Sequence, residues 1–416
     1  MTSLKNIFKN TFILALLGIV VLQSCKKELE INADYKAFPV IYGFLNPYDS
    51  LQIIKINKSF LGNENPNNYA GIQDSALFDQ VDVRLVELHN GQERDSYPLQ
   101  KIVLNNKESG VFSGPENVVY VAALPRAASA SGVESIKFLN ESSYSGGVIE
   151  NRVTYRLEGT LNNSIEIKAE TTSIPEQPAD IFTQTPFRNL WRTNAPKGNV
   201  KFATSSGFTK GLLFDVKLPP FVKIADIKMI FHYLDIKLDG TQDTNTIESG
   251  MGQYVSAKVN ENNTIDAEFF IGSERFFELI KISVPDFDET TLKERKPYYV
   301  DFEIVMADEE YYFYRENTLP SDDLNQLKPQ YTNIENGFGI FASRLKMRMT
   351  EWAIGTNPDI NSLKVMKGVL LDKNTQIALN RGFIITSDGE TIELGTKSKR
   401  FCTDSEVTGS ISTNCN

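Results

Sequence analysis

Apolar residues are distributed along this chain in two ways. From Phe12 to Leu22 they run almost without interruption, and from Phe38 onward they tend to recur at every second position. The second habit is that of strands buried on one face. Phe38, Val40, Tyr42 and Phe44 share a face, and Val81, Val83 and Leu85 alternate with Asp82 and Arg84. Val153, Tyr155 and Leu157 alternate with Thr154, Arg156 and Glu158, then Ile165, Ile167 and Ala169 with Glu166, Lys168 and Glu170. Gly159-Thr160-Leu161-Asn162-Asn163 between these last two has the composition of a hairpin turn, and Asn90-Gly91 predicts another. Strands at this spacing predict an immunoglobulin-like antiparallel sandwich over residues 38–174. Pro175 and Pro178 cannot donate to a sheet ladder, so the first domain is expected to end there.

Residues 175–416 read as a larger β-rich domain, sandwich or barrel-like, with one or two short helices, so the whole chain is expected to be mainly β. Leu212, Phe214 and Val216 open it, a long strand from Ile224 to Leu238 turns at Asp239-Gly240, and Val300, Phe302, Ile304 and Met306 oppose Asp301 and Glu303. A helix is predicted with Ser273 as N-cap, Phe276, Phe277 and Ile280 as its apolar stripe, and Pro285 beyond its end. Ser321-Asp322-Asp323 marks the start of a second. Tyr298-Tyr299 and Tyr311-Tyr312-Phe313-Tyr314 are read as strands carrying tyrosines on both faces. An outward tyrosine stacks on a sugar ring or anchors a protein contact, so Tyr312 and Tyr314 are the candidate ligand or partner contacts.

The uninterrupted apolar run has another meaning. Lys5 and Lys9 precede it, it is shorter than the roughly 20 residues a spanning helix needs, and Leu22-Gln23-Ser24-Cys25 closes it. That order is a bacterial lipoprotein signal. Residues 1–24 are expected to be removed, Cys25 to be lipidated on its thiol and freed amine, and residues 25–37 to form a tether that begins Lys26-Lys27-Glu28-Leu29-Glu30. At about 0.8 kcal/mol per buried CH₂, several acyl chains hold a protein at a membrane. Cys402 and Cys415 are then the remaining thiols of an exported chain. They are read as a disulfide closing the polar tail between them, worth about 3 kcal/mol in the chain-entropy model.

Composition adds exclusions. The net charge of −10 becomes −12 once Lys5 and Lys9 leave with the signal. No basic stripe is present, so nucleic acid is not an expected partner. Two histidines, His89 and His232, are too few for a multi-histidine zinc site, and each is read as structural. Phosphate-cradling glycine loops, dinucleotide fingerprints and nucleophile elbows are missing. The acidic runs near Asp286 and at Asp308-Glu309-Glu310 are read as solvated loops. A calcium loop over 235–240 fails at Lys237, where a third oxygen ligand belongs, which leaves structural calcium a minor alternative. No catalytic residue, metal or cofactor is expected.

Two further segments carry a resemblance. Val40-Ile41-Tyr42-Gly43-Phe44-Leu45-Asn46-Pro47 leads into Ile54-Lys55-Ile56-Asn57-Lys58-Ser59-Phe60-Leu61, and Thr332-Asn333-Ile334-Glu335-Asn336-Gly337-Phe338-Gly339-Ile340-Phe341 follows far downstream. With the lipoprotein signal and the Tyr155 to Pro175 stretch, the chain resembles Bacteroidota outer-membrane lipoproteins of the DUF4249 type, a family without an assigned function. The resemblance implies a lipid-anchored protein on the extracellular face of the outer membrane, accompanying integral barrel proteins and other lipoproteins in transport, secretion, gliding or barrel assembly. The expected function is therefore a non-catalytic accessory subunit. The alternative is a glycan- or peptide-binding lipoprotein that feeds a TonB-dependent transporter. Asn336, Gly337 and Gly339 suit backbone positions with positive φ or close approach.

Overall fold

A computed structural model describes residues 37–46, 49, 51–59, 72, 76–105, 116–128, 134–136, 144–145, 148–149, 153–174, 200–258, 265–318, 331–348 and 370–403. Strands take 56% of it and helices 14%, which makes the protein mainly β. The expected signal peptide, Cys25 and the expected tether up to residue 36, the Pro175 to Pro178 stretch, Ser321-Asp322-Asp323 and Cys415 lie outside the described residues.

The principal strands are β1 (Pro39–Leu45), β2 (Gln52–Lys58), β3 (Val81–His89), β4 (Gln92–Pro98), β5 (Gln100–Leu104), β6 (Asn117–Ala122), β7 (Val153–Leu161) and β8 (Ile165–Thr172). They continue with β9 (Leu212–Leu218), β10 (Ile224–Lys237), β11 (Gln242–Val255), β12 (Ile265–Ile271), β13 (Leu292–Ala307) and β14 (Phe338–Arg348). One eight-stranded sheet has the order β11-β10-β13-β14-β1-β2-β6-β5, and a four-stranded sheet the order β8-β7-β3-β4. The sheets are open, and the barrel-like alternative gives way to layered, sandwich-like packing.

Two apolar cores divide the molecule. The first gathers Ile41, Ile54 and Ile56 with Val83, Leu85, Tyr155 and Leu157, so it lies between the four-stranded sheet and the N-terminal half of the large one. The second gathers Phe214, Phe231, Phe276 and Phe302 beneath the other half, closed by the β9–β12 pair. β14 belongs to both. Its first half pairs in parallel with β1, Val40 opposite Phe338 to Leu45 opposite Ser343, and its second half pairs antiparallel with β13. Accordingly Phe341 enters the first core and Leu345 the second. Gly339 makes the parallel pairing possible. Its φ is +102°, and a Cβ there would stand 1.9 Å from the carbonyl oxygen of Ile41.

Three α-helices occur among the described residues: α1 (Ser273–Ser283), α2 (Glu309–Thr318) and α3 (Lys373–Arg381). α1 has the predicted stripe, with Phe276, Phe277 and Ile280 buried, but its N-cap is Gly272, and Ser273 is its first residue. The Ser273 hydroxyl is turned to Thr209 Oγ1 at 2.7 Å instead. α3 had no counterpart in the sequence reading, although Asp372 caps it by accepting the Thr375 and Asn374 N–H groups and Gly382 ends it at φ 78°. The β7–β8 turn is also shorter than expected. β7 continues through Leu161, opposite Ile165, and only Asn162, Asn163 and Ser164 make the turn, the two asparagines with φ of 49° and 54°.

Candidate functional site

One stretch whose secondary structure the sequence pattern misreads is also the most distinctive surface. Tyr311-Tyr312-Phe313-Tyr314 lies in helix α2, not in a strand. The acidic run ahead of it explains why. Asp308 Oδ1 accepts the Tyr311 N–H at 3.0 Å, as an N-cap does, and Glu309 and Glu310 occupy the first turn, where carboxylates favour the helix dipole. Asp308 is buried, and its Oδ2 also accepts the Thr171 hydroxyl at 2.6 Å and the Ser343 N–H at 2.8 Å. It therefore ties α2 to β8 and β14. Burial pushes this carboxyl up to about 6, against the three donors, which favour the anion.

Four successive aromatics on a helix point about 100° apart, so they cannot all face one way. Tyr311 packs edge-on to Phe44 at 5.7 Å, and Tyr314, one turn later, edge-on to Tyr42 at 6.1 Å with its hydroxyl donating to Tyr42 Oη at 3.2 Å. Tyr312 lies under the Lys223 ammonium at 5.2 Å, and Phe313 leans on Tyr331 while staying exposed. No side chain of α2 is buried. The Phe38, Val40, Tyr42, Phe44 face of β1 thus turns away from the first core, which takes Ile41 and Leu45 from the opposite face.

Between the helix and the β1–β14 pair opens a groove of about 310 Å³, lined by Tyr42, Tyr314, Tyr331 and Phe338 with Asn317 and Thr318 at one end. Tyr42 and Phe338 are 39% and 40% exposed, so the rings face solvent rather than a filled core. Burial and the Tyr42 hydroxyl push the Tyr314 phenol up, and burial together with the Glu310 carboxylate does the same for Tyr331, whose hydroxyl donates to Glu310. Raised in this way, the Tyr314 and Tyr331 phenols stay protonated near neutral pH. Of the two tyrosines singled out from the sequence, Tyr314 lines the groove and Tyr312 sits beside it. Tyr42 and Phe338 were read only as strand residues; the signal that marks them is that both faces of β1 are apolar.

The other residues weighed for chemistry have structural partners. His89 ends β3 with Nε2 at 2.9 Å from the buried Glu87 carboxylate, to which Tyr155 also donates. His232 stacks on Tyr299 at 4.0 Å. Asp235 pairs two-pronged with Arg295, at 2.6 and 3.0 Å, and accepts from Asn245. Asp286 holds Lys399 and Ser398. No cluster of three or more His, Cys, Asp or Glu side chains able to hold a metal ion occurs among the described residues. Cys402 is buried and disulfide-bonded, and its N–H donates to the Arg295 carbonyl at 2.7 Å.

Elsewhere the outer sheet faces carry paired charge. Glu248, Lys228, Glu303 and Lys346 form a ladder across four strands of the large sheet. Arg84, Glu158, Arg156 and Glu93 interlock on the small one. A shallow hollow of about 440 Å³ beside Arg84, Glu158, Lys168 and Glu335 belongs to this charged surface. No described helix is long and apolar enough to cross a membrane. No protein-family model matches the chain, and no curated protein matches its sequence.

Proposed function

We propose that this protein is a non-catalytic, lipid-anchored accessory subunit of an outer-membrane complex, held through Cys25 on the extracellular face and contacting an integral barrel protein with its companion lipoproteins. The observation that carries this reading is the surface of α2. Of its four successive aromatics, α2 leaves Phe313 exposed and the three tyrosines only half-buried, and apolar surface of this kind is ordinarily packed or used for binding. The charge ladders of the remaining sheet faces favour solvent there. The lipoprotein signal supports the location, and the family resemblance supports the company kept. Extracted in mild detergent, the tagged full chain is expected to bring down a barrel protein in fixed stoichiometry. Recovery as a lone monomer overturns the reading.

The groove beside α2 favours a second reading, a surface lipoprotein that captures glycan or peptide for a neighbouring transporter. Its concave, aromatic lining with a few polar groups has the character of a small-ligand site. Binding of such ligands that is unchanged by Tyr314→Ala and Tyr42→Ala would remove it.

A further inference from the structure

We infer that the groove between α2 and the β1–β14 pair is an aromatic cage for a cationic side chain, lysine or arginine, of a partner polypeptide. The inference rests on the ligand-capture reading and narrows its ligand. Ring geometry is the first ground. Tyr42 and Tyr314 stand 76° apart, so these two rings of the lining form walls at a steep angle rather than one flat platform of the kind a sugar ring stacks on. Walls of this kind present several negative ring faces to a single positive charge.

Charge complementarity is the second ground. Elsewhere the protein covers ring faces with its own cations: Lys223 over Tyr312, Arg344 over Phe44 and Arg295 over Tyr233, each within 5.3 Å. The groove is lined by no lysine or arginine among the described residues, and none is found over Tyr42, Tyr314, Tyr331 or Phe338. Arg315, the basic residue in the last turn of α2, is not part of the lining. Behind Tyr331 stands the Glu310 carboxylate, which adds negative charge to that wall. The C-terminal end of α2 supplies the third ground. Asn317 and Thr318 line the groove, and although their side chains donate to the Phe313 and Arg315 carbonyls, the negative end of the helix dipole favours a cation there. The net charge of −10 draws a basic partner from a distance.

The test uses the full chain in detergent and two fluorescent octapeptides of alternating sequence, one Lys-Gly and one Gln-Gly, read by anisotropy at physiological salt. The lysine peptide is expected to bind at least tenfold more tightly than the glutamine one. Tyr314→Ala should weaken lysine-peptide binding at least tenfold, whereas Tyr314→Phe should hold it within about twofold, because a ring face and not a hydroxyl makes the contact. Phe338→Leu, at an exposed position that keeps its apolar bulk, should weaken binding severalfold without depending on the packing of α2. Equal binding of the two peptides overturns the inference. So does lysine-peptide binding that neither Tyr314→Ala nor Phe338→Leu moves, since that is general attraction to an acidic surface. Groove-dependent binding of a chitin oligosaccharide without lysine-peptide binding overturns it too, while leaving ligand capture standing. Loss of barrel co-purification with peptide binding intact bears only on the accessory-subunit reading.

Discussion

Asp308 and Arg295 are the residues whose chemistry most exceeds their appearance in the sequence. Asp308 sits in an acidic run, yet it is buried and joins three elements through Thr171, Ser343 and Tyr311. Its carboxyl is raised from an ordinary 3.8 to about 6, so between those values the folded chain holds a proton that the unfolded chain has released. The sign follows from linkage: this group's stabilising contribution is full below about pH 4 and is lost as pH rises to about 6. Urea midpoints of wild type and Asp308→Asn across pH 4 to 7 should therefore diverge, with wild type losing ground to the variant as pH rises through that window. A difference independent of pH would show that Asp308 titrates normally. Arg295 is 1% exposed and gives both prongs to Asp235, with its remaining nitrogen donating to the Pro285 and Lys399 carbonyls. Removing it strands a carboxylate, and Arg295→Leu is expected to cost about 3–5 kcal/mol. Adding Asp235→Leu should recover much of that loss in the same urea assay. A single-variant cost near zero would mean that water reaches Asp235.

At the scale of elements, alternation was a sound guide wherever one face of a strand meets a core. The β7–β8 ladder from Thr154 opposite Thr172 to Leu161 opposite Ile165, and the β10–β11 hairpin through Gly240, follow the expected pattern. It misled at α2 because four consecutive aromatics have no period, and the deciding signal, Asp308 as cap with Glu309 and Glu310 behind it, resembles a solvated loop. α3 was missed for a related reason: its cap Asp372 and terminator Gly382 bracket a segment with little apolar content. Gly339 was legible as a glycine that the backbone requires, but its partner Ile41, 298 positions away in the chain, was not. Gly339→Ala should destabilise the protein by about 2 kcal/mol or more, because it adds a backbone clash to the strain of positive φ. Gly91→Ala is the control, with φ of 80° but nothing within 4 Å of the added methyl. It is expected to cost about 1 kcal/mol. Equal losses in chemical denaturation would mean that the β1–β14 approach tolerates a side chain.

For the whole molecule, the two cores and the shared sheet make the N- and C-terminal regions mutually dependent through β14, which serves both. Breaking the β1–β14 pairing should therefore lower the stability of both regions together, and hydrogen exchange of Gly339→Ala is expected to show lost protection in β1 and in β13 alike. Protection lost in β1 alone would mean that the second core holds its half of the sheet unaided. On the proposed extracellular location, protease added to intact cells should remove the ectodomain, and its survival would overturn that location. The amino-acid sequence by itself determined the mainly-β class, the hairpins and the apolar stripe of α1, since each follows from the period of apolar positions over a few residues. The Leu22-Gln23-Ser24-Cys25 pattern behind the proposed anchor is likewise local and needs no fold to be read. Only the tertiary structure decided that β14 joins two cores, that Asp308 is buried, and that Tyr42, Phe338 and Tyr314 meet around one groove. Each of those depends on contacts between residues tens to hundreds of positions apart, and no local period encodes which distant strand or helix will cover an apolar face.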